Sequence, residues 1–109
     1  AKCMILGPSG QNIYPEEVET VLNSQPYVVD SLVIEDNGGL KALIYPDFDL
    51  AAKEGMNQAT FIKYIEDTLP EVNKELPNYA KLKKIEVMSE AFERTPKKSI
   101  KRYLYQRNN

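Results

Sequence analysis

Asn37-Gly38, set between two runs of β-branched, aliphatic and aromatic residues, is the feature that most restricts what this chain can fold into. The runs are Tyr27 to Ile34 and Leu40 to Tyr45. Residues of this kind suit a pleated, half-buried surface. The Asn-Gly pair tolerates the positive φ angles that a tight two-residue turn demands, so the segment reads as a β-hairpin.

The flanking segments supply what such a hairpin packs against. Lys2 to Leu6, with Met4, Ile5 and Leu6, reads as a short strand. Gly7-Pro8 and Ser9-Gly10 favour tight bends. Pro15 is placed as a first helical residue, and Glu16, Glu17 and Glu19 complement the positive end of the helix dipole. Val18, Val21 and Leu22 give that helix one apolar face. Asn23-Ser24-Gln25-Pro26 ends it, because proline cannot continue a helix. Residues 46–56 read as a connection. A second amphipathic helix spans 58 to about 69, with Phe61, Ile62, Ile65 and Leu69 on one face. Pro70 removes an amide donor and clashes with the preceding turn, so a helix running on to Leu76 would kink there. Lys84 to Met88 alternates charged and apolar residues, a third β element with Ile85 and Val87 inward. Near the end, Thr95 suits a helix cap and Pro96 a first helical position, with Ile100, Tyr103 and Leu104 as the apolar face. No internal repeat or low-complexity linker interrupts the pattern. The fold class expected is α+β: a small antiparallel or mixed sheet with a β-hairpin, packed by two to three helices.

Composition narrows the chemistry. One hundred and nine residues make one domain, small for a complete metabolic enzyme. There is no histidine, which removes Ser-His-Asp and Cys-His machinery and the commonest zinc ligand. The single cysteine, Cys3, excludes an intrachain disulfide and suits a reducing compartment. Lying in an apolar segment, it reads as core filling. No apolar run approaches the roughly 20 residues that span a bilayer. The net charge of −2 hides an asymmetry: residues 1–80 hold 5 basic and 13 acidic side chains, residues 81–109 hold 9 basic and 3 acidic. A basic end on an acidic body suits an anionic ligand or partner. Lys97 and Lys98 in a first helical turn would oppose the dipole, at up to roughly 1 kcal/mol. Either this is a solvated basic surface, or the helix end collects an anion through its free amides and lysines.

Three stretches resemble motifs of one family. Gly10-Gln11-Asn12-Ile13-Tyr14-Pro15-Glu16-Glu17-Val18-Glu19 resembles the loop that opens the small C-terminal domain of adenylate-forming enzymes. These are the acyl-CoA synthetases, their luciferase relatives and the adenylation domains of peptide synthetases, with long-chain fatty-acid CoA ligases the nearest branch. Leu76-Pro77-Asn78-Tyr79 is similar to the Leu-Pro-x-Tyr before the third strand of these domains. Arg94-Thr95-Pro96, followed by Ile100-Lys101-Arg102, is similar to their closing motif, Thr-Pro-x-Gly-Lys-Ile in most members.

The resemblance covers Lys2 to about Tyr105 and implies that residues 1–109 are the mobile C-terminal domain of an ATP-dependent acyl-CoA ligase. A larger N-terminal adenylation domain would precede it and bind most of the ATP, coenzyme A and Mg2+, with a fatty acid as substrate. The isolated domain would be inactive, having no phosphate-binding glycine loop. In the family a lysine of the closing motif acts in adenylation, and rotation about a hinge then presents the glycine loop to the pantetheine arm. Lys2 matches the hinge position. Gly10, Gln11 and Asn12 match the coenzyme A channel loop, where a side chain at Gly10 would obstruct. The closing motif departs from the pattern: Ser99 stands at the usual lysine position and Lys98 at the glycine position. Lys98, with Lys101 in reserve, is therefore the expected source of the missing charge. The competing expectation is a non-catalytic binding module whose basic C-terminal helix, with Tyr103 and Tyr105 among Lys101, Arg102 and Arg107, contacts nucleic acid, anionic lipid or a protein. The negative overall charge weighs against nucleic acid. The expected location is the cytoplasm, with peripheral membrane contact an option for the full-length enzyme.

Overall fold

A computed structural model describes residues 3–106. The hairpin forms as its sequence requires. Strands β3 (Val28–Asp36) and β4 (Gly39–Pro46) pair antiparallel, and the turn closes with Asn37 at φ 50° and Gly38 at φ 78°. Strand β5 (Leu82–Val87) joins the other side of β4 in parallel, giving the order β3-β4-β5. It starts two residues earlier than the alternation at Lys84 indicates. A separate two-stranded sheet pairs β1 (Ile5–Leu6) with β2 (Asn12–Ile13) around the Gly7–Gln11 loop. This α+β architecture is the one expected.

Central β4 is covered on both faces, so Leu40, Ala42, Leu43 and Ile44 are all buried. On one face, Val33, Ala42, Ile44 and Ile85 pack with Val18 and Leu22 of helix α1 (Pro15–Asn23) and Phe61 and Ile65 of helix α3 (Gln58–Glu66). On the other, Leu32, Ile34 and Leu43 pack with Phe92, flanked by Met88, Ile100 and Tyr105. The C-terminal segment therefore replaces a second layer of helices.

Four local expectations are corrected. The stretch read as a connection contains helix α2 (Phe48–Lys53), capped by the Asp47 carboxylate, which accepts from the Leu50 N–H at 3.0 Å. Its end was written in Gly55, at φ 86°. Pro70 does not kink one helix but separates two: α3 stops at Glu66, and α4 (Leu69–Lys74) takes the proline in its first turn, where a missing N–H costs nothing. Cys3 is exposed rather than core filling, along with Met4 and Leu6. Residues 96–104 do not form a helix. Arg94 and Ile100 face each other in an antiparallel bridge, and only Arg102–Leu104 makes a short 3₁₀ turn. Ile100 is drawn into the second apolar cluster, whereas Tyr103 is 72% exposed and cannot serve as a packing face.

Glu19 also departs from its expected role. Instead of facing the helix dipole, its buried carboxylate reaches β3, where Oε2 accepts from the Val33 N–H at 2.8 Å. Arg102 donates to both carboxylate oxygens at 2.9 and 2.8 Å and to the Val33 carbonyl at 3.3 Å. Burial pushes the Glu19 carboxyl above its ordinary range, and the Val33 N–H and Arg102 reverse that only in part. Arg102→Leu strands this charge and should destabilise the domain by roughly 2–3 kcal/mol at neutral pH, less than a fully buried pair would lose. A raised pKa means that the folded state holds the proton more tightly than the unfolded chain. The deficit should therefore shrink as pH falls through the raised pKa towards the ordinary value of about 4.3, and return as pH rises. Urea unfolding of both proteins across that window checks the sign.

Candidate functional site

The Gly7–Gln11 loop is closed by its own backbone: Gly7 N–H donates to the Gln11 carbonyl at 2.8 Å, and Gly10 N–H to the Gly7 carbonyl at 3.0 Å. Gly10 has φ 86°, and a Cβ built there would meet nothing within 4 Å. Glycine is required by the backbone, and the space beyond it is open. Gln11 turns into a groove of about 280 Å³ lined also by Pro8, Glu35, Gly38, Tyr79 and Lys81. Its Oε1 is buried there with no hydrogen-bond partner among the described residues. Asn12 lies in β2 opposite Leu6 and lines a neighbouring groove with Tyr14 and Glu17. The loop thus brings Gln11 to Tyr79 and Asn78 of the Leu-Pro-x-Tyr stretch and turns Asn12 elsewhere. Tyr79 belongs to the stretch already quoted for its resemblance, whereas Lys81 is a groove residue that the sequence did not single out. Lys2, the expected hinge, lies outside the described residues.

The closing motif forms a second loop. Lys98 N–H donates to the Thr95 carbonyl at 2.8 Å, Thr95 N–H to the Ser99 carbonyl at 2.8 Å, and Lys101 N–H to the Glu93 carbonyl at 2.9 Å. This is a β-turn with Pro96 second, followed by Lys98 in the left-handed region at φ 68°. A three-residue hairpin loop of this type normally places glycine there. Threonine, proline and a basic pair are equally at home in such a turn, which is why a helix start was the wrong inference. With no helix, the unfavourable dipole contact of Lys97 and Lys98 disappears.

Register sorts the side chains of this hairpin. Arg94 and Ile100 share one face, which meets the sheet: Ile100 joins the second apolar cluster and Arg94 pairs with Asp30 of β3. By alternation, Thr95, Ser99 and Lys101 share the other face. Lys98 sits exposed at the tip. Lys98 and Lys101 are therefore not neighbours on a helix.

The two loops lie towards opposite ends of β3. The glycine-loop groove includes Glu35, whereas the closing hairpin is pinned at Asp30. Five residues of strand separate them by about 17 Å. Among the described residues, no cluster of three or more acidic, cysteine or histidine side chains would hold a metal ion, and no helix is long and apolar enough to cross a membrane.

The chain is thus a hairpin-centred α+β domain with a glycine loop and a basic turn towards separate ends of its edge strand. The sequence matches the AMP-binding enzyme C-terminal domain family over residues 4–108, and the chain belongs to that family. No curated protein matches it. Among solved structures, the fold is similar to that in apo MatB from Rhodopseudomonas palustris (TM-score 0.66, 20% identity, covering 94% of this chain and 19% of that one). It is also similar to a fatty acyl CoA synthetase from Mycobacterium tuberculosis (TM-score 0.61, 23% identity, 94% and 18%). O-succinylbenzoate coenzyme A synthetase from Bacillus subtilis gives TM-score 0.63 at 24% identity, covering 93% and 18%. The chain thus spans under a fifth of each of these proteins.

The two positive-φ positions in the motif loops carry opposite expectations. Lys98→Gly relieves a left-handed lysine and should raise stability by about 0.5–1 kcal/mol, whereas Gly10→Ala should lower it by about 1 kcal/mol without any clash. Urea unfolding of the two variants distinguishes them; equal signs would show that these φ angles do not govern stability.

Proposed function

We propose that this chain is the mobile C-terminal domain of an ATP-dependent acyl-CoA ligase, acting on a fatty acid together with a larger adenylation domain that binds ATP and Mg2+. The observation that carries this reading is the separation of the two motif loops along β3, since one rigid domain cannot bring both to one reacting centre in a single orientation. A rotation that presents the closing hairpin first and the glycine loop second gives each loop its own step.

Adenylation brings a carboxylate against the α-phosphate of ATP, two anions whose repulsion a cation between them reduces. Ser99, at the usual lysine position, has no charge to offer. Lys101 takes over that role in our reading, because hairpin register puts it on the same face as Ser99, two residues on. Lys98, at the tip, is the second source of charge. For thioester formation the coenzyme A thiol must approach, and the open space beyond Gly10 suits a pantetheine arm passing close to backbone. The alternative of a basic helix for nucleic acid or lipid loses the helix on which it was built.

In the full-length enzyme, Lys101→Ala should slow adenylation by about 10²-fold, on the order of 2.7 kcal/mol, and leave thioester formation from preformed acyl-adenylate nearly unchanged. Gly10→Trp should do the reverse. Pyrophosphate release and acyl-CoA production, measured separately, give the two rates. Equal losses in both steps for both variants would refute the division of labour. Acyl-CoA formation by the isolated domain from ATP, coenzyme A and a fatty acid would refute the assignment itself.

A further inference from the structure

The closing hairpin contains one cation that is bonded within the fold, although its side chain is 41% exposed. Arg94 Nη1 donates to the Lys98 carbonyl at 2.6 Å, and Nη2 pairs with the Asp30 carboxylate on β3. One planar guanidinium therefore spans the two sides of the turn and ties both to the sheet. The residue whose carbonyl it holds is Lys98, the non-glycine residue in the left-handed region. Such a backbone persists only where its surroundings over-determine it. On the same hairpin, Lys101 follows Ile100, and its N–H is bonded to the Glu93 carbonyl at 2.9 Å. The shape of the Thr95–Ser99 turn thus sets the register that puts Lys101 beside Ser99.

We propose that Arg94 is a positioning residue for the adenylation step: bridging Asp30 and the Lys98 carbonyl, it holds the turn in the left-handed form that fixes where Lys101 points. This rests on the assignment of the charge role to Lys101 above. Arg94 itself is held by Asp30 and directs its second nitrogen at the backbone, so it acts through the turn and not on the substrate. Lysine at position 94 has a single donor head and cannot span both partners. Glycine at position 98 would adopt the left-handed form unaided, and the turn would no longer need the clamp.

The test uses the full-length enzyme with four variants: Arg94→Gln, Arg94→Lys, Lys98→Gly, and Arg94→Gln combined with Lys98→Gly. Hydrogen exchange of the Thr95, Lys98 and Lys101 amides reports the turn independently of activity. The expected result for Arg94→Gln is exchange at least ~10-fold faster at these amides, with adenylation slowed ~10-fold. Thioester formation from preformed acyl-adenylate should stay within a factor of about two. Arg94→Lys should resemble Arg94→Gln; because Lys98 is itself a source of charge, Lys98→Gly serves as the reference for the double variant, which should regain amide protection and adenylate no more slowly than Lys98→Gly alone. A merely stabilising ion pair would lower both half-reactions together, and Arg94→Gln would cost as much in the Lys98→Gly background as in the parent. Unchanged amide protection in Arg94→Gln overturns the clamp. Lost protection with undiminished adenylation overturns the positioning role if Lys101→Ala is slow. If Lys101→Ala is also unimpaired, the failure lies in the charge assignment on which the proposal depends, and the proposal falls with it.

Discussion

The contact on which the rest of this domain depends is the clamp of Glu19 and Arg102 on Val33. Strand β3 is an edge strand, and its outward N–H and C=O groups have no neighbouring strand to receive them. Glu19 accepts from the Val33 N–H and Arg102 donates to the Val33 carbonyl, so an ion pair from two distant parts of the chain stands in for a strand. Two residues on, the Gln106 side-chain amide does the same for Glu35, accepting from its N–H at 3.1 Å and donating to its carbonyl at 2.8 Å. Helix α1 and the C-terminal tail are thereby joined to one edge. The first follows the glycine loop and the second follows the basic hairpin, so both motif loops inherit their placement from this edge.

The far edge is treated alike. Asn73 of α4 accepts from the Leu82 N–H at 2.8 Å and donates to its carbonyl at 2.9 Å, closing the start of β5. Lys81 then caps the end of α4 by donating to the Asn73 and Leu76 carbonyls. A three-stranded sheet sealed at both edges by side chains is protected from pairing with another chain.

What the sequence disclosed follows the strength of its local signals. Asn37-Gly38 admits almost one conformation, and the Phe61, Ile65 and Val18, Leu22 faces are set by periodicity, so hairpin and helices were legible. Helix α2 is six residues long, too short for periodicity to show. Its cap, Asp47, and its stop, Gly55, were present but read as ordinary loop residues. The closing segment failed for a different reason. Thr95-Pro96 begins a helix and a β-turn with equal ease, and the decision came from Ile100 and Arg94, whose partners Leu32 and Asp30 are distant in sequence. Glu19 was misplaced for the same reason, since nothing local announces a partner at Arg102. Of the site, the identities at Gly10, Ser99, Lys98 and Lys101 came from motif resemblance. Their faces came only from register.

The structure also resolves the charge asymmetry between the two parts of the chain. Of the basic residues after position 80, Lys81 caps a helix, Lys83 reaches the Asp36 carbonyl, Arg94 pairs with Asp30 and Arg102 with Glu19. Among the described residues, Lys84, Lys97, Lys98 and Lys101 have no side-chain partner. Three of these four lie on one hairpin of a few residues. A nucleic-acid surface needs cations spread along a phosphate track, whereas a single phosphoryl group needs a few brought to one point. Structural pairing removes the scattered charges from the reckoning and leaves three of the four unpaired lysines on the Thr95–Ser99 hairpin and its second strand.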